Sequence, residues 1–251
     1  AGARALAARH PNVRHVIVRP DGRSQLSGLQ AAVERMDRAP LNPCNLVWMD
    51  QIEEACEREG AKVLLTGLMG NMSISHAGEQ HLPQLWRAGH WRTWWRELTA
   101  LKRQEPSRSW KGLMALSLGP YVPAPLWAFL QRVRDRGMDL HDYSAVSQAL
   151  FDKVDGATRI RQAGWDLSYR PWADSRAMRL GVLNRLDNGE YYMGAMTRGF
   201  SLVDPLSDLA LFKFCLSLPE HLFLRGGQTR WILQQLTKDW LPPEIRQVTT
   251  K

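Results

Sequence analysis

Residues 62–78, KVLLTGLMGNMSISHAG, set the tightest limit on what this chain can fold into. The apolar run at 62–65 reads as a short buried strand, and it passes directly into Thr66, Gly67, Gly70, Asn71, Ser73 and Ser75, small polar residues punctuated by glycine. In an open parallel α/β sheet, loops leaving the carboxyl ends of strands open a crevice, and ligands bind there. The stretch therefore marks a candidate ligand site. Read alone, a strand followed by a tight turn is the plainer account, because short motifs recur by chance.

The flanking sequence supports an α/β beginning. AGARALAARHPNVRHVIV reads as an alanine-rich helix, a break at Pro11-Asn12 and a strand from Val13 to Val18. No strand precedes that helix, so the chain is expected to open inside an α/β unit whose start is cut off. Leu29, Ala32, Val33 and Met36 recur at helical spacing, and APLNPCN ends that helix with two prolines. Residues 46–59 form a second amphipathic helix, which Gly60 stops before the strand. This is the rhythm of a wound α/β sheet. Beyond Gly78 it changes. Residues 81–103 are helical and rich in tryptophan, and further helices are expected near 125–136, 143–152, 175–187 and 205–217, with no strand after residue 66. The expectation is an α/β part at 1–78 followed by a mainly helical part at 79–251.

Charge narrows the ligand class. Lys and Arg number 33 against 25 Asp and Glu, a net charge of +8 that suits an anionic ligand. No apolar run approaches the roughly 18 residues of a membrane span, and the first residues lack a signal-peptide core. Cys44, Cys56 and Cys215 form an odd set without CxxC spacing, which indicates neither a disulfide framework nor a zinc site. A reducing cytoplasm is the expected setting.

Four segments in order, APLNPCNLVWMDQIEEACEREGAKVLLTGLMGN, VDPLSD, LSLPEHLFLRGGQTRWILQQLTKDW and LPPEIRQVTTK, resemble the synthetase domain of the asparagine synthetase family across nearly the whole chain. That family includes β-lactam synthetases and lasso-peptide cyclases. The resemblance implies an incomplete parallel sheet of the adenine-nucleotide α-hydrolase type, and amide formation from a carboxylate and an amine through an acyl-adenylate. ATP and Mg²⁺ are the implied cofactors. Thr66 and Gly67 match the family's Ser/Thr-Gly at the nucleotide, and Gly70 lies in the same loop. Glycine lets a backbone approach a ligand closely, and a hydroxyl can donate to a phosphate oxygen. Asn71 stands where the family carries a magnesium-associated aspartate, and its amide oxygen brings no negative charge. Leu68 replaces a glutamate. Asp208 matches the aspartate of a Pro-x-x-Asp element and also suits a helix start. Arg230 matches a basic position, with Gln234 where a second often stands. Lys251 falls on the lysine that contacts the phosphates, the catalytic position. The family's Ser-Gly-Gly-x-Asp-Ser loop and its amino-terminal glutaminase domain are not in the sequence, so the chain is expected to be a fragment inactive by itself.

Other features carry less. His76, Glu79 and His81 lack the spacing of a zinc helix. Trp86, Trp91, Trp94 and Trp95, interleaved with Arg87, Arg92, Arg96, Lys102 and Arg103, are expected mainly to pack a helical core with arginines at its rim. The alternative to the enzyme is a binding module that uses this basic, tryptophan-rich face to hold a peptide, a membrane or a nucleic acid. The enzyme reading expects no nucleic acid partner and no membrane span.

Overall fold

The computed structural model describes residues 2–37, 45–133, 146–166, 168–185 and 198–246. In chain order the helices are α1 (Gly2–Arg9), α2 (Gln25–Met36), α3 (Leu46–Arg58), α4 (His81–Arg87), α5 (Trp91–Gln104), α6 (Trp110–Leu118), α7 (Ala124–Val133), α8 (Gln148–Lys153), α9 (Gly156–Gln162), α10 (Ser175–Leu183), α11 (Leu209–Ser217), α12 (Trp231–Leu236) and α13 (Pro243–Arg246). Two strands, β1 (Val63–Leu65) and β2 (Ser201–Val203), complete a mixed α/β fold in which helix predominates. Two compact units emerge, one from Ala1–Ala77, Arg179–Pro219 and Arg230–Lys251, the other from Gly78–Met178 and Glu220–Thr229.

In the first unit, α2 begins at Ser24, whose hydroxyl accepts the Ser27 N–H at 3.1 Å and so satisfies one of the free amides of the first turn. α2 lies against α3. Gly28 and Ala32, one turn apart, form its buried stripe, and Val47, Gln51 and Ala55 form the buried stripe of α3 at the same spacing. Small residues on α2 bring the two axes close, since a Cβ added at Gly28 would lie 2.7 Å from Val47 Cγ2. Gly60, at φ 66, turns the chain out of α3 in the left-handed conformation that only glycine adopts freely.

β1 and β2 pair in parallel, Val63 with Ser201, Leu64 with Leu202 and Leu65 with Val203. This corrects the expectation that no strand follows residue 66. Three residues are too few to display a period of two, so β2 exists through its partner and not through its own pattern. The expected strand at Val13–Val18 does not form: the segment is irregular, and Val13, Val16 and Ile17 are exposed. β-branched residues favour a strand only where a neighbouring strand supplies hydrogen bonds and packing, and none of the described residues does so here.

In the second unit, Leu82 and Leu85 of α4, Trp94, Leu98 and Leu101 of α5, Leu113 of α6 and Leu224 form the core. The tryptophan-rich stretch is two helices, broken at Gly89. Gly227 abuts α5 so closely that an added Cβ would lie 2.2 Å from the Ala100 carbonyl carbon. The Gly227 N–H donates to buried Glu97 Oε2 at 3.1 Å, which satisfies a carboxylate that the core would otherwise strand. Among the described residues no helix is long and apolar enough to cross a membrane.

Candidate functional site

The ladder between β1 and β2 extends one residue past the strands, because the Thr66 N–H donates to the Val203 carbonyl at 2.9 Å. The pairing is parallel, so both chains leave at the same end: one as Gly67, the other as Asp204. The loop after Gly67 then closes on itself. Gly70 donates to Gly67, Met72 to Met69, Ser73 to Met69 and Gly70, and Ser75 to Gly70, a run of tight turns around the single 3-10 turn Gly70–Met72. The buried Ser73 hydroxyl donates to the Met69 carbonyl at 3.0 Å. Loop serines that suggested ligand contact thus serve, at Ser73, the loop itself.

Asp204 pins this loop to β2. Its buried carboxylate accepts the Met69 N–H at 2.7 Å through Oδ2 and the Leu206 N–H at 2.9 Å through Oδ1. Two backbone donors satisfy a charge held away from water. Sequence reading singled out Asp208 in VDPLSD and passed over Asp204. The available signal was an acid directly before a proline turn, a position at which aspartate bonds the backbone two residues on. Asp208 caps α11, accepting the Leu211 N–H at 2.8 Å, the structural role its place at a helix start suggested. Arg230, at φ 55, sends its Nε–H to the Ser75 carbonyl at 3.1 Å and so ties the far end of the loop.

Thr66, Gly67 and Gly70 belong to this one assembly. The Thr66 hydroxyl is shut away from solvent and has no hydrogen-bond partner among the described residues. Gly67 is exposed, and a Cβ there would meet only Leu206 Cδ1, at 3.8 Å. Gly70 is buried, and a Cβ there would lie 3.1 Å from Leu206 Cδ1 and 3.5 Å from Ser75 Cβ. The fold therefore needs a small residue at 70 and does not need one at 67. Among the described residues, the N–H groups of Gly67 and Leu68 have no acceptor, although those of Met69, Gly70, Met72 and Ser73 do. Adjacent free amides at the carboxyl end of a strand can receive an anionic oxygen.

Asn71 lies on the exposed side of the turn. Among the described residues no group of three or more His, Cys, Asp or Glu could hold a metal ion. Lys251 lies outside the described residues, as does Cys44. Glu79 pairs with Arg108, and the His81 ring is 6.4 Å from that of His221. A family model described as asparagine synthase matches residues 1–251. No curated protein and no solved structure matches the chain.

Proposed function

The chain belongs to the asparagine synthase family, and from that membership we propose that it forms amide bonds at the expense of ATP. A carboxylate oxygen of the substrate attacks the α-phosphorus, pyrophosphate leaves, and the resulting acyl-adenylate is taken by an amine, which loses a proton as AMP departs. Conversion of aspartate to asparagine with glutamine-derived ammonia is the family's reference reaction. Ring closure of a peptide carboxylate onto a peptide amine is a close variant. The cytoplasm is the setting this chemistry implies.

One observation carries the reading. The adjacent Gly67 and Leu68 N–H groups have no acceptor among the described residues where β1 leaves a parallel pair, the end of such sheets at which ligands bind. In this reading β1 and β2 belong to a sheet of the adenine-nucleotide α-hydrolase type. Gly67 gives a phosphate or carboxylate oxygen close access to the backbone, Gly70 keeps the loop folded beneath it, and the Thr66 hydroxyl, which has no partner among the described residues, gains one when the loop yields to the ligand. The exposed Asn71 amide oxygen would be this loop's neutral ligand for a magnesium ion bound with ATP, whose charge would offset that of the phosphates. Lys251 would neutralise charge that builds on the departing pyrophosphate.

The test is carboxylate-dependent exchange of labelled pyrophosphate into ATP by the protein that carries this chain, with hydroxylamine added to trap the activated acyl group. Exchange together with a hydroxamate is the expected result. Release of ADP and phosphate would mean phosphoryl activation in place of adenylation and would overturn the proposal, as would the absence of exchange with both aspartate and peptide carboxylates.

A further inference from the structure

The second unit carries a surface that amide formation does not use. On α5, Trp94, Leu98 and Leu101 point into the core, while Trp91, Arg92, Trp95, Arg96 and Arg103 are exposed. The tryptophans continue across neighbouring helices. Trp86 of α4 lies with its ring centroid 6.3 Å from that of Trp91 and meets Trp94 edge-on at 4.9 Å, and Trp95 stacks on Trp110 of α6 at 5.9 Å with 16° between the planes. Relative exposures are 36% for Trp86, 63% for Trp91, 53% for Trp95 and 44% for Trp110. Four large amphipathic rings therefore stand at the surface as one linked array.

The charge around the array is one-sided. Residues 79–111 contain Arg87, Arg92, Arg96, Lys102, Arg103, Arg108 and Lys111 against only Glu79, Glu97 and Glu105. All three acids are withdrawn: Glu79 and Glu105 bind Arg108, and Glu97 is buried against Gly227. Lys102 is spent on the Pro106 and Arg108 carbonyls. That leaves Arg87, Arg92, Arg96, Arg103 and Lys111 exposed, and the one carboxylate contact any of them makes among the described residues is Arg96 with Glu97 at 4.0 Å.

We infer that this face docks on an anionic lipid surface. Indole rings favour the headgroup layer, where an apolar body and a polar N–H are both accommodated, and exposed arginines complement anionic headgroups. A second copy of the same face is disfavoured by like charge. Single-stranded nucleic acid needs open aromatic faces for base stacking, whereas Trp95 and Trp110 already stack on each other and Trp86 is held against Trp91 and Trp94. Insertion into a headgroup layer makes no such demand. The attachment is peripheral and reversible, and it stands independently of the amide-forming reading, because it involves neither ATP nor a carboxylate substrate.

Flotation of the full chain with vesicles of phosphatidylcholine containing phosphatidylglycerol, against pure phosphatidylcholine, tests the inference without nucleotide present. Binding to the anionic vesicles, abolished in high salt and absent on the neutral ones, is the expected result. The triple variant Arg92→Gln, Arg96→Gln, Arg103→Gln should bind on the order of a hundredfold more weakly, since each basic residue near such a surface contributes roughly fivefold. Trp91→Ser, at the most exposed ring, should weaken binding with the charge unchanged. Both variants alter exposed side chains, and an unshifted thermal melt confirms that they fold. Equal binding to neutral vesicles, no flotation at all, or capture of a single-stranded oligonucleotide or poly-glutamate without flotation would each overturn the inference.

Discussion

Gly67 and Gly70 separate two reasons for glycine that a sequence writes identically. At 70 the neighbours need the space, because Leu206 Cδ1 would sit 3.1 Å from an added Cβ, tighter than ordinary contact. At 67 the nearest atom would be 3.8 Å away and φ is not positive, so the fold accepts alanine. Gly70→Ala should cost about 1 kcal/mol as Leu206 gives way, and Gly67→Ala should stay within about 0.5 kcal/mol of wild type. If the open Gly67 amide receives the ligand, the cheap substitution is the one that weakens ATP binding. Thermal melts paired with calorimetric ATP titrations of the protein that carries this chain decide, and equal, measurable ATP affinity in Gly67→Ala and wild type would remove Gly67 from the site. Asp204 carries the other residue-scale prediction. Asn in its place keeps the volume but turns an N–H toward one of two backbone donors, so Asp204→Asn should cost about 2 kcal/mol, the usual worth of a hydrogen bond to a charged group. Amide exchange at Met69 and Leu206 should accelerate; protection equal to wild type would show that the carboxylate does not hold the loop.

Among the elements, α4 has its own pH response. His81 opens that helix, and burial pushes its imidazole below the ordinary value of about 6.5. Glu97 pulls it back up, His221 pushes it further down, and Glu220 opposes. A histidine lowered on folding takes up fewer protons than its unfolded counterpart, so its share of stability is present above about pH 6.5 and is lost as pH falls toward the folded value. His81→Gln should leave stability near wild type at pH 7.5 and shallow the decline to pH 5.5. Denaturant melts at both pH values measure this, and an undiminished decline in the variant would assign it elsewhere. The same scale shows what could be read beforehand. α2, α3 and β1 were legible as elements because their patterns are local: Leu29, Ala32, Val33 and Met36 recur at helical spacing, although of these only Ala32 is fully buried and Val33 is exposed, and Gly60 ends α3. β1 forms where expected but is not the buried strand its apolar run suggested, since Val63 and Leu65 are exposed. Val13–Val18 misled because branched residues state a preference that only a neighbouring strand can realise. β2 was invisible for the complementary reason, its three residues being a strand only beside β1. The loop at Thr66 was legible as a place, but not the acid that secures it, since the tie between Met69 and Asp204 spans 135 positions.

Contacts of that range also hold the first unit together as a whole. Arg198, three residues before β2, binds Asp50 and reaches Glu53 at 3.1 Å, although α3 is nearly 150 positions earlier in the chain by the 148 separating Arg198 from Asp50. Arg35 of α2 joins the same Asp50 at 2.9 Å, and Arg23 bridges Asp50 at 3.2 Å and Glu54 at 2.8 Å. Four separate stretches of sequence thus meet in one ionic cluster. The Arg198, Asp50 and Glu53 side chains are largely withdrawn from water, so each charge depends on the others for what hydration no longer supplies. Burial drives the Glu53 carboxyl above its ordinary range. At Asp50 burial acts in the same direction, but the hydrogen bonds from Arg35 and Arg198 outweigh it and hold the group below. Asp50 therefore adds stability that is present above the ordinary carboxylate range near pH 4 and is lost as pH falls through its lowered value. Arg198→Met keeps much of the side-chain bulk and removes the cation. It should cost about 3 kcal/mol at pH 7, the order found when one partner of a buried pair is taken away. Acidification should narrow the gap to wild type, because Glu53 then takes up a proton and no longer needs the guanidinium. Urea denaturation of both proteins at pH 7 and pH 4.5 reads this directly. A deficit of the same size at both pH values would mean that Arg198 acts through packing and that the charge cluster does not hold β2 to α3.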